Sequence, residues 1–378
     1  MKIVISGYIG KKITGIGRNL LSLLEHTGND NEYIIYANED MAQKLKLAKD
    51  NVHIRTYGVS SQSSIGNLLW TTFVFPFKAR KEKADVSLIP NFSLLLVKTR
   101  PTSVIIHDLI EFNVPGKFSG LRMFYRTKIA DPLLAKLSDR IITISKCSME
   151  DLNKYLGTPE NKVDIVYCGV DRQKFHKMEL KTALNILKAK EWPSDFFLCA
   201  GTVDHPGKNS YSVIKAFEQI CSNGYKGGLI LAGMPGSGYE HVERAIAESP
   251  YGNRIIVTGY VCDEELVALY SACRALCFMS LYEGFGMPPL EALSCGAQVI
   301  VSSTSSLPEV VGDCGQKVDP LDVNAISEAM VNVLEGWRAN PGQVEKHLAR
   351  FDYQVLSKQF EESLARTAGD SSKTVQGK

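Results

Sequence analysis

Short apolar runs recur along this chain, separated by segments with helical spacing, and that alternation is what most limits the folds open to it. KIVISG (2–7), YIIYA (33–37), VHIRTY (52–57), VSLIP (86–90) and the SVII of TSVIIHDLIEF (102–112) read as strands. So do the opening of DRIITISKCSMEDL (139–152), FFLCAG (196–201), LILAG (229–233), RIIVTGYV (254–261) and AQVIVSS (297–303). CDEELVALYSACRALCF (262–278) starts a helix at an acidic N-terminus, SEAMVNVLEGW (327–337) is helical, and the last helix falls at about 353–368. Residues 369–378 are polar and expected to be disordered. Strand–helix alternation specifies an α/β chain with doubly wound parallel sheets. At 378 residues it exceeds what one core usually supports, so two domains are expected.

The bulk properties narrow the class. No uncharged apolar run reaches the ~18–20 residues that a membrane span needs. MKIVISGYIG has no cleavage-type sequel and does not read as a signal peptide. Nine cysteines are scattered without a CxxC pair, which reads as a reduced, cytosolic set and not as disulfides or a zinc site. Residues 1–170 hold 23 Lys and Arg against 16 Asp and Glu, while the remainder holds 20 against 25. A basic first half points to an anionic partner or surface on that side, and no nucleic acid partner is expected. The segment IGNLLWTTFVFPFKARKEK (65–83) has two readings: a core helix with a solvated end, or an apolar-aromatic face that rests on an anionic membrane. Leu121 to Lys136, with Phe124 and Tyr125 among Arg122, Arg126 and Lys128, would extend the same surface.

The stretch with the most chemistry is EGFGMPPLE, Glu283 to Glu291. Pro289 suits the first turn of a helix, because its missing N–H would have no partner there. Leu290 to Leu293 continue as helix formers. Glu283 is therefore expected on a loop and Glu291 in a first helical turn. Gly284 and Gly286 let the backbone approach a ligand, and the free N–H groups of a helix start aim at the same space. Two acids and several backbone donors suit a ligand rich in hydroxyls. Three further stretches present groups to such a ligand. Gly15, Gly17 and Arg18 form a glycine loop between the first strand and the helical run Asn19–Glu25. His107 and Asp108 sit at a strand's carboxyl end, where ligands of open α/β sheets collect. Gly201 to Asn209 carries Lys208 after another strand.

EGFGMPPLEALSCG resembles the E-x7-E signature of the retaining glycosyltransferases of family 4, and similar segments run from residue 2 to about 365. Thr14 to Arg18 is similar to the family's GGIGR, His107-Asp108-Leu109 to its HDL, and KVDIVYCGVDRQKF (162–175) to the run that closes its first domain. Gly201 to Asn209 is similar to G-T-x-x-P-R-K-N, but Gly207 stands where the family has Arg. A guanidinium grips phosphate with two bonds and Lys acts as a point charge, so Arg18, His205 or a helix N-terminus would have to compensate.

The resemblance implies the GT-B fold, two Rossmann-like domains facing across a cleft. It places the acceptor-side domain at 1–178, to which helix 353–368 crosses back, the linker at about 172–193, and the donor-binding domain at 190–352. It implies roles for Glu283 and His107 at the transferred sugar, for Lys208 on the diphosphate and for Glu291 on the ribose. Gly15, Gly17, Arg18, Asp108, Gly201, Phe285, Gly286, Met287 and Pro288 would complete the donor site. No D-x-D motif appears, so no metal is expected. The implied activity is transfer of a hexose, GDP-mannose being the favoured donor, to a lipid-linked or oligosaccharide acceptor of bacterial surface polysaccharide, at the inner membrane surface. The alternatives are a UDP- or dTDP-sugar donor, a nucleotide-sugar epimerase, and a catalytically silent donor-binding subunit.

Overall fold

The computed structural model describes residues 1–7, 15–45, 47, 49–114 and 120–375. It divides into two compact units, residues 1–169 with 353–378, and residues 170–352. Among the described residues the first unit holds seven parallel strands: β1 (Lys2–Ser6), β2 (Glu32–Asn38), β3 (Val52–Tyr57), β4 (Val86–Ile89), β5 (Thr102–Ile105), β6 (Arg140–Thr143) and β7 (Val163–Ile165). Their order is β3-β2-β1-β4-β5-β6-β7. Successive residues of a strand face opposite sides. Ile3, Ile5, Tyr33 and Ile35 accordingly enter one core, and Val4, Ile34 and Tyr36 the other. The last helix, Tyr353–Val375, packs Tyr353, Leu356, Phe360 and Leu364 into the first of these cores. The ring of Tyr353 lies so close over Gly169 that a Cβ there would stand 2.6 Å from it, so glycine is required.

The second unit holds six parallel strands among the described residues: β8 (Phe196–Ala200), β9 (Gly228–Ala232), β10 (Ile255–Val257), β11 (Leu276–Phe278), β12 (Val299–Ser302) and β13 (Gln316–Val318). Their order is β10-β9-β8-β11-β12-β13. Phe197, Leu229, Leu231, Cys277 and Ile300 join helices Ser210–Ser222 and Val323–Leu334 in its core. Each sheet reverses its order once, between β1 and β4 and between β8 and β11. Such switch points are where open α/β sheets leave a crevice at their carboxyl ends.

Several expectations need correction. The chain passes between units at 169/170, and helix Leu180–Ala189, read as linker, belongs to the second unit. The run 262–278 is a helix only over Asp263–Ala272; its end is β11, too short and too close to the helix for periodicity to separate. The last helix continues to Val375 instead of ending near 368. Thr14 lies outside the described residues. Gly15, Gly17 and Arg18 are not in a loop but form the first turn of helix Gly15–His26.

The segment 65–83 is partly core and partly exposed. Helix Ser64–Leu69, a π-helical turn Trp70–Val74 and helix Phe75–Lys81 run on from one another. Trp70 and Phe75 are buried, with Trp70 stacked on Tyr57 at 3.7 Å between centroids. Ile65, Leu69, Phe73 and Phe77 are 74%, 52%, 46% and 55% exposed. α-Winding alone carries every fourth residue steadily round the axis, and the looser i→i+5 turn in the middle opposes that drift. The four exposed side chains therefore stay on one stripe.

Candidate active site

In the second unit the loops after β8 and β11 meet at the switch point. The β8 loop starts at Gly201, whose φ of +118° a side chain would strain. Asp204, buried, accepts a 2.5 Å hydrogen bond from the Lys208 N–H and so folds the loop back on itself. Gly207 leaves room for that carboxylate, because a Cβ at 207 would stand 3.0 and 3.3 Å from its two oxygens. Asp204 thus takes the space beside Gly207 and fixes the backbone of Lys208, and supplies no positive charge in place of the Arg. The Gly207 carbonyl accepts from the Leu281 N–H at 2.9 Å, which joins the two loops. Lys208 Nζ forms an ion pair with Glu283 Oε1, both groups mostly withdrawn from solvent, and lies 5.1 Å from the Phe278 ring centroid.

The Glu283 loop is held by the hydroxyl-rich run that starts at the last residue of β12, Ser302 to Ser306. Ser305 Oγ accepts from the Glu283 N–H at 3.1 Å. Ser306, fully buried, donates to the carbonyls of Glu283 (3.0 Å) and Phe285 (2.7 Å). Thr304 donates to the Leu281 carbonyl at 3.0 Å. Sequence reasoning missed these residues, although five consecutive hydroxyls, SSTSS, were the signal. Gly286 (φ +105°) turns the chain into helix Met287–Ser294. That helix begins earlier than expected, so Glu291 is its fifth residue and lies in the second turn. Pro288 and Pro289 bring no N–H, which leaves Phe285, Gly286 and Met287 as the backbone donors nearest the turn. Glu291 accepts from the Tyr270 hydroxyl at 3.1 Å. Burial, and then the adjacent Glu291 charge, raise the Tyr270 pKa far above its ordinary value, so the phenol remains a donor.

His107 and Asp108 lie in the first unit, just past β5. Their backbone is clamped from β6 and the helix after it: Thr143 donates to the Ile106 carbonyl (2.8 Å) and Ser148 to the His107 carbonyl (3.0 Å). Ser148 in turn is placed by Ser145, the cap of helix Lys146–Leu156. His107 Nε2 is 3.0 Å from the Pro90 carbonyl and donates to it, leaving Nδ1 as acceptor in the neutral ring. Desolvation lowers the His107 pKa, with the Pro90 carbonyl and Asp108 opposing. Asp108 accepts from the Ile110 N–H at 3.1 Å. Gly15 and Arg18 are exposed and Gly17 is buried, at the start of Gly15–His26. The sequence-predicted residues thus form two sets, one in each unit. Lys208, Glu283, Phe285, Gly286, Met287, Pro288 and Glu291 are in the second unit with Gly201. His107, Asp108, Gly15, Gly17 and Arg18 are in the first.

The model of the glycosyltransferase family 4 domain matches residues 13–174, and that of glycosyl transferases group 1 matches residues 186–352. The chain belongs to the family 4 glycosyltransferases. Among curated relatives of this glycosyltransferase, the O-antigen chain mannosyltransferase B of Escherichia coli is 31% identical over 66% of this chain and 65% of its own length. The serotype-specific mannosyltransferase WbdA of Escherichia coli is 31% identical over 62% of this chain and 29% of its own. The chain therefore spans less than two thirds of the relatives it matches at this identity. Among solved structures, Anabaena HepE in complex with UDP-glucose superposes with a TM-score of 0.71 at 17% identity, over 97% of this chain and all of that one. The likeness shows the GT-B fold.

Proposed function

We propose that this glycosyltransferase moves a hexose, with retention, from a nucleotide sugar to a lipid-linked or oligosaccharide acceptor in the synthesis of a bacterial surface polysaccharide. The observation that carries the reading is the Lys208–Glu283 ion pair at the switch point of the second sheet. The relatives named as mannosyltransferases favour GDP-mannose, and the neighbour bound to UDP-glucose keeps a UDP-sugar as the alternative. The ammonium of Lys208 compensates the charge that grows on the leaving diphosphate as the anomeric C–O bond breaks. Glu283 stands beside it as a carboxylate for the positive charge that develops on the sugar ring. The acceptor oxygen then bonds the anomeric carbon on the face being vacated, and its proton passes to the departing phosphate oxygen. Glu291, oriented by Tyr270, accepts from the ribose. In this reading no metal is required, because Lys208 and the donors at Phe285, Gly286 and Met287 supply the compensation.

The test is a donor panel of GDP-, UDP- and dTDP-sugars incubated with the full chain in EDTA, following thermal shift and released nucleotide. Stabilisation and slow hydrolysis with one GDP-sugar support the reading. Turnover of donor without any acceptor to a new sugar nucleotide would make the chain an epimerase. Binding without hydrolysis or transfer with any acceptor would make it a silent subunit. Peripheral attachment to an anionic membrane belongs to the same proposal and rests on the exposed stripe at 65–77 and the lysines 78 and 81 beyond it. Among the described residues no helix is long and apolar enough to cross a membrane.

A further inference from the structure

Of the seven histidines, five have a polar partner. His26, His107, His176 and His347 each hydrogen-bond a backbone carbonyl, and His53 lies 4.0 Å from Glu32. The other two, His205 and His241, make no side-chain hydrogen bond or ion pair among the described residues, and they lie beside each other. Their ring centroids are 5.3 Å apart, with the planes inclined at 53°. His205 Nδ1 is buried and has no partner. A buried polar atom left so is costly unless water or an ion pairs it. The two rings line a recess of about 280 Å³ in the second unit, with Tyr211, Arg244, Ala245 and Glu248.

The backbone fixes this pairing from both sides. His205 belongs to the loop after β8, and its N–H donates to the Ser237 carbonyl at 3.0 Å. A Cβ at Gly238 would stand 2.2 Å from the His205 carbonyl oxygen, so the two loops approach this closely only because glycine is there. Helix Tyr239–Glu248 follows and carries His241. His241 and Ala245 are four residues apart and share a helix face, and Ala245 is buried in the core of the unit. The helix is thereby kept from rolling His241 away from His205. Imidazole is the commonest metal ligand and suits zinc, copper and nickel. With metal–nitrogen bonds of about 2.0–2.1 Å and a tetrahedral angle, two rings on one ion have centroids about 5 Å apart, close to the separation found here. The carboxylate of Glu248 in the same recess favours a cation, offsets Arg244 and opposes an anion.

We propose that His205 and His241 form a two-histidine site for a divalent transition-metal ion, apart from Lys208 and Glu283, and that the ion staples the β8 loop to the helix after β9. Among the described residues no third His, Cys, Asp or Glu completes a ligand set, so water fills the remaining positions. The ion takes no part in the bond exchange described above. It acts on the loop: Lys208 follows His205 by three residues, and its N–H is held by Asp204, the residue before His205. An ion on His205 restrains the segment that presents the ammonium.

The test titrates the full chain with Zn²⁺ by calorimetry, in buffer free of chelator. One ion per chain is expected, with a Kd on the order of micromolar, as suits a site with few protein ligands. His205→Gln and His241→Gln should each weaken it about tenfold or more. His176→Gln and Cys262→Ser, at an exposed histidine and an exposed thiol elsewhere, should leave it unchanged. Glutamine keeps the size and polarity of the ring, and thermal unfolding without metal checks that each variant is folded. Cu²⁺ gives a second readout, because its electron paramagnetic resonance spectrum should show two nitrogen ligands in the wild type and one in either variant. Hydrogen exchange over residues 203–209 should slow when Zn²⁺ binds the wild type and stay unchanged in the variants. No binding, Zn²⁺ affinity that survives both histidine substitutions, or a Cu²⁺ spectrum without two nitrogens would overturn the site. Inorganic phosphate bound through the same two histidines, with Zn²⁺ excluded, would make it an anion site instead. Exchange over 203–209 that ignores bound Zn²⁺ would overturn the staple.

Discussion

Lys208 and Glu283 are each other's counter-ion, so deleting either does two things: it removes a group from the site and leaves a partly buried charge alone. Lys208→Ala and Glu283→Ala should each lower turnover by about 100-fold or more, in the range of losing one pre-oriented electrostatic group. If thermal stability falls as much as activity in both variants, the pair is structural. Ser306 makes a sharper case. Its single hydroxyl serves two carbonyls of the Glu283 loop, one directly and one two residues on. Ser306→Ala should cost about 1–3 kcal/mol in chemical denaturation. It should also lower turnover without changing any group that touches substrate. Unaltered denaturation would show that the two carbonyls find other donors. Glu283 was legible in the sequence because glycines and prolines around an acid are local signals. Ser306 was not, because a serine's value depends on which loop is packed over it.

At the scale of elements, the helical run from Ser64 to Lys81 shows how one sequence serves two surfaces. Its apolar content was plain, but a helix read with a single period assigns it one face. The π turn at Trp70–Val74 lets Trp70 and Phe75 enter the core while Ile65, Leu69, Phe73 and Phe77 remain outside. In flotation with liposomes rich in anionic lipid, the wild-type chain should associate, and Phe73→Ser with Phe77→Ser should lower the bound fraction several-fold. High salt should lower it too, since Lys78 and Lys81 follow the stripe. Binding that ignores lipid charge, salt and both substitutions would leave the stripe without this role. The strand β11 was hidden for the opposite reason. Its three residues, Leu276 to Phe278, carry no period of their own and are strand only because β8 and β12 flank them.

For the molecule as a whole, buried titratable groups set how stability varies with pH. Burial lowers the pKa of His107 in the first unit and of His347 in the second, so both rings are neutral in the fold. The unfolded chain takes up those protons near its ordinary value, so the stability they contribute is complete above about 6.5 and is lost as pH falls through it. Asp131 acts with the opposite sign. Burial, and then the Glu111 charge, raise its pKa to about 7, against the attraction of Arg126, with Asp108 adding to the rise. The folded state is favoured while Asp131 stays protonated, and that advantage is lost as pH rises from about 4 through 7. Asp131→Asn should therefore lack the part of the wild-type decline in melting temperature that this carboxyl causes between about pH 4 and 7. Parallel curves for the two proteins would mean that the carboxyl is solvated or differently paired.

The sequence by itself determined that parallel sheets form, where most strands begin, that Lys208 and His107 follow strands, and that Glu283 lies on a loop. Those facts follow from apolar runs, from glycine and proline, and from the order of segments, all of which act over a few residues. What it did not contain was distance across the fold. That Asp204 occupies the space beside Gly207, that SSTSS grips the Glu283 loop, and that 65–71 and 122–126 wall one cavity are contacts between segments tens of residues or more apart in two of the three cases, and each depends on backbone geometry even where the separation is short. Only the tertiary structure decides such contacts, because which polar group is buried, and beside what, is settled when the sheets and helices pack.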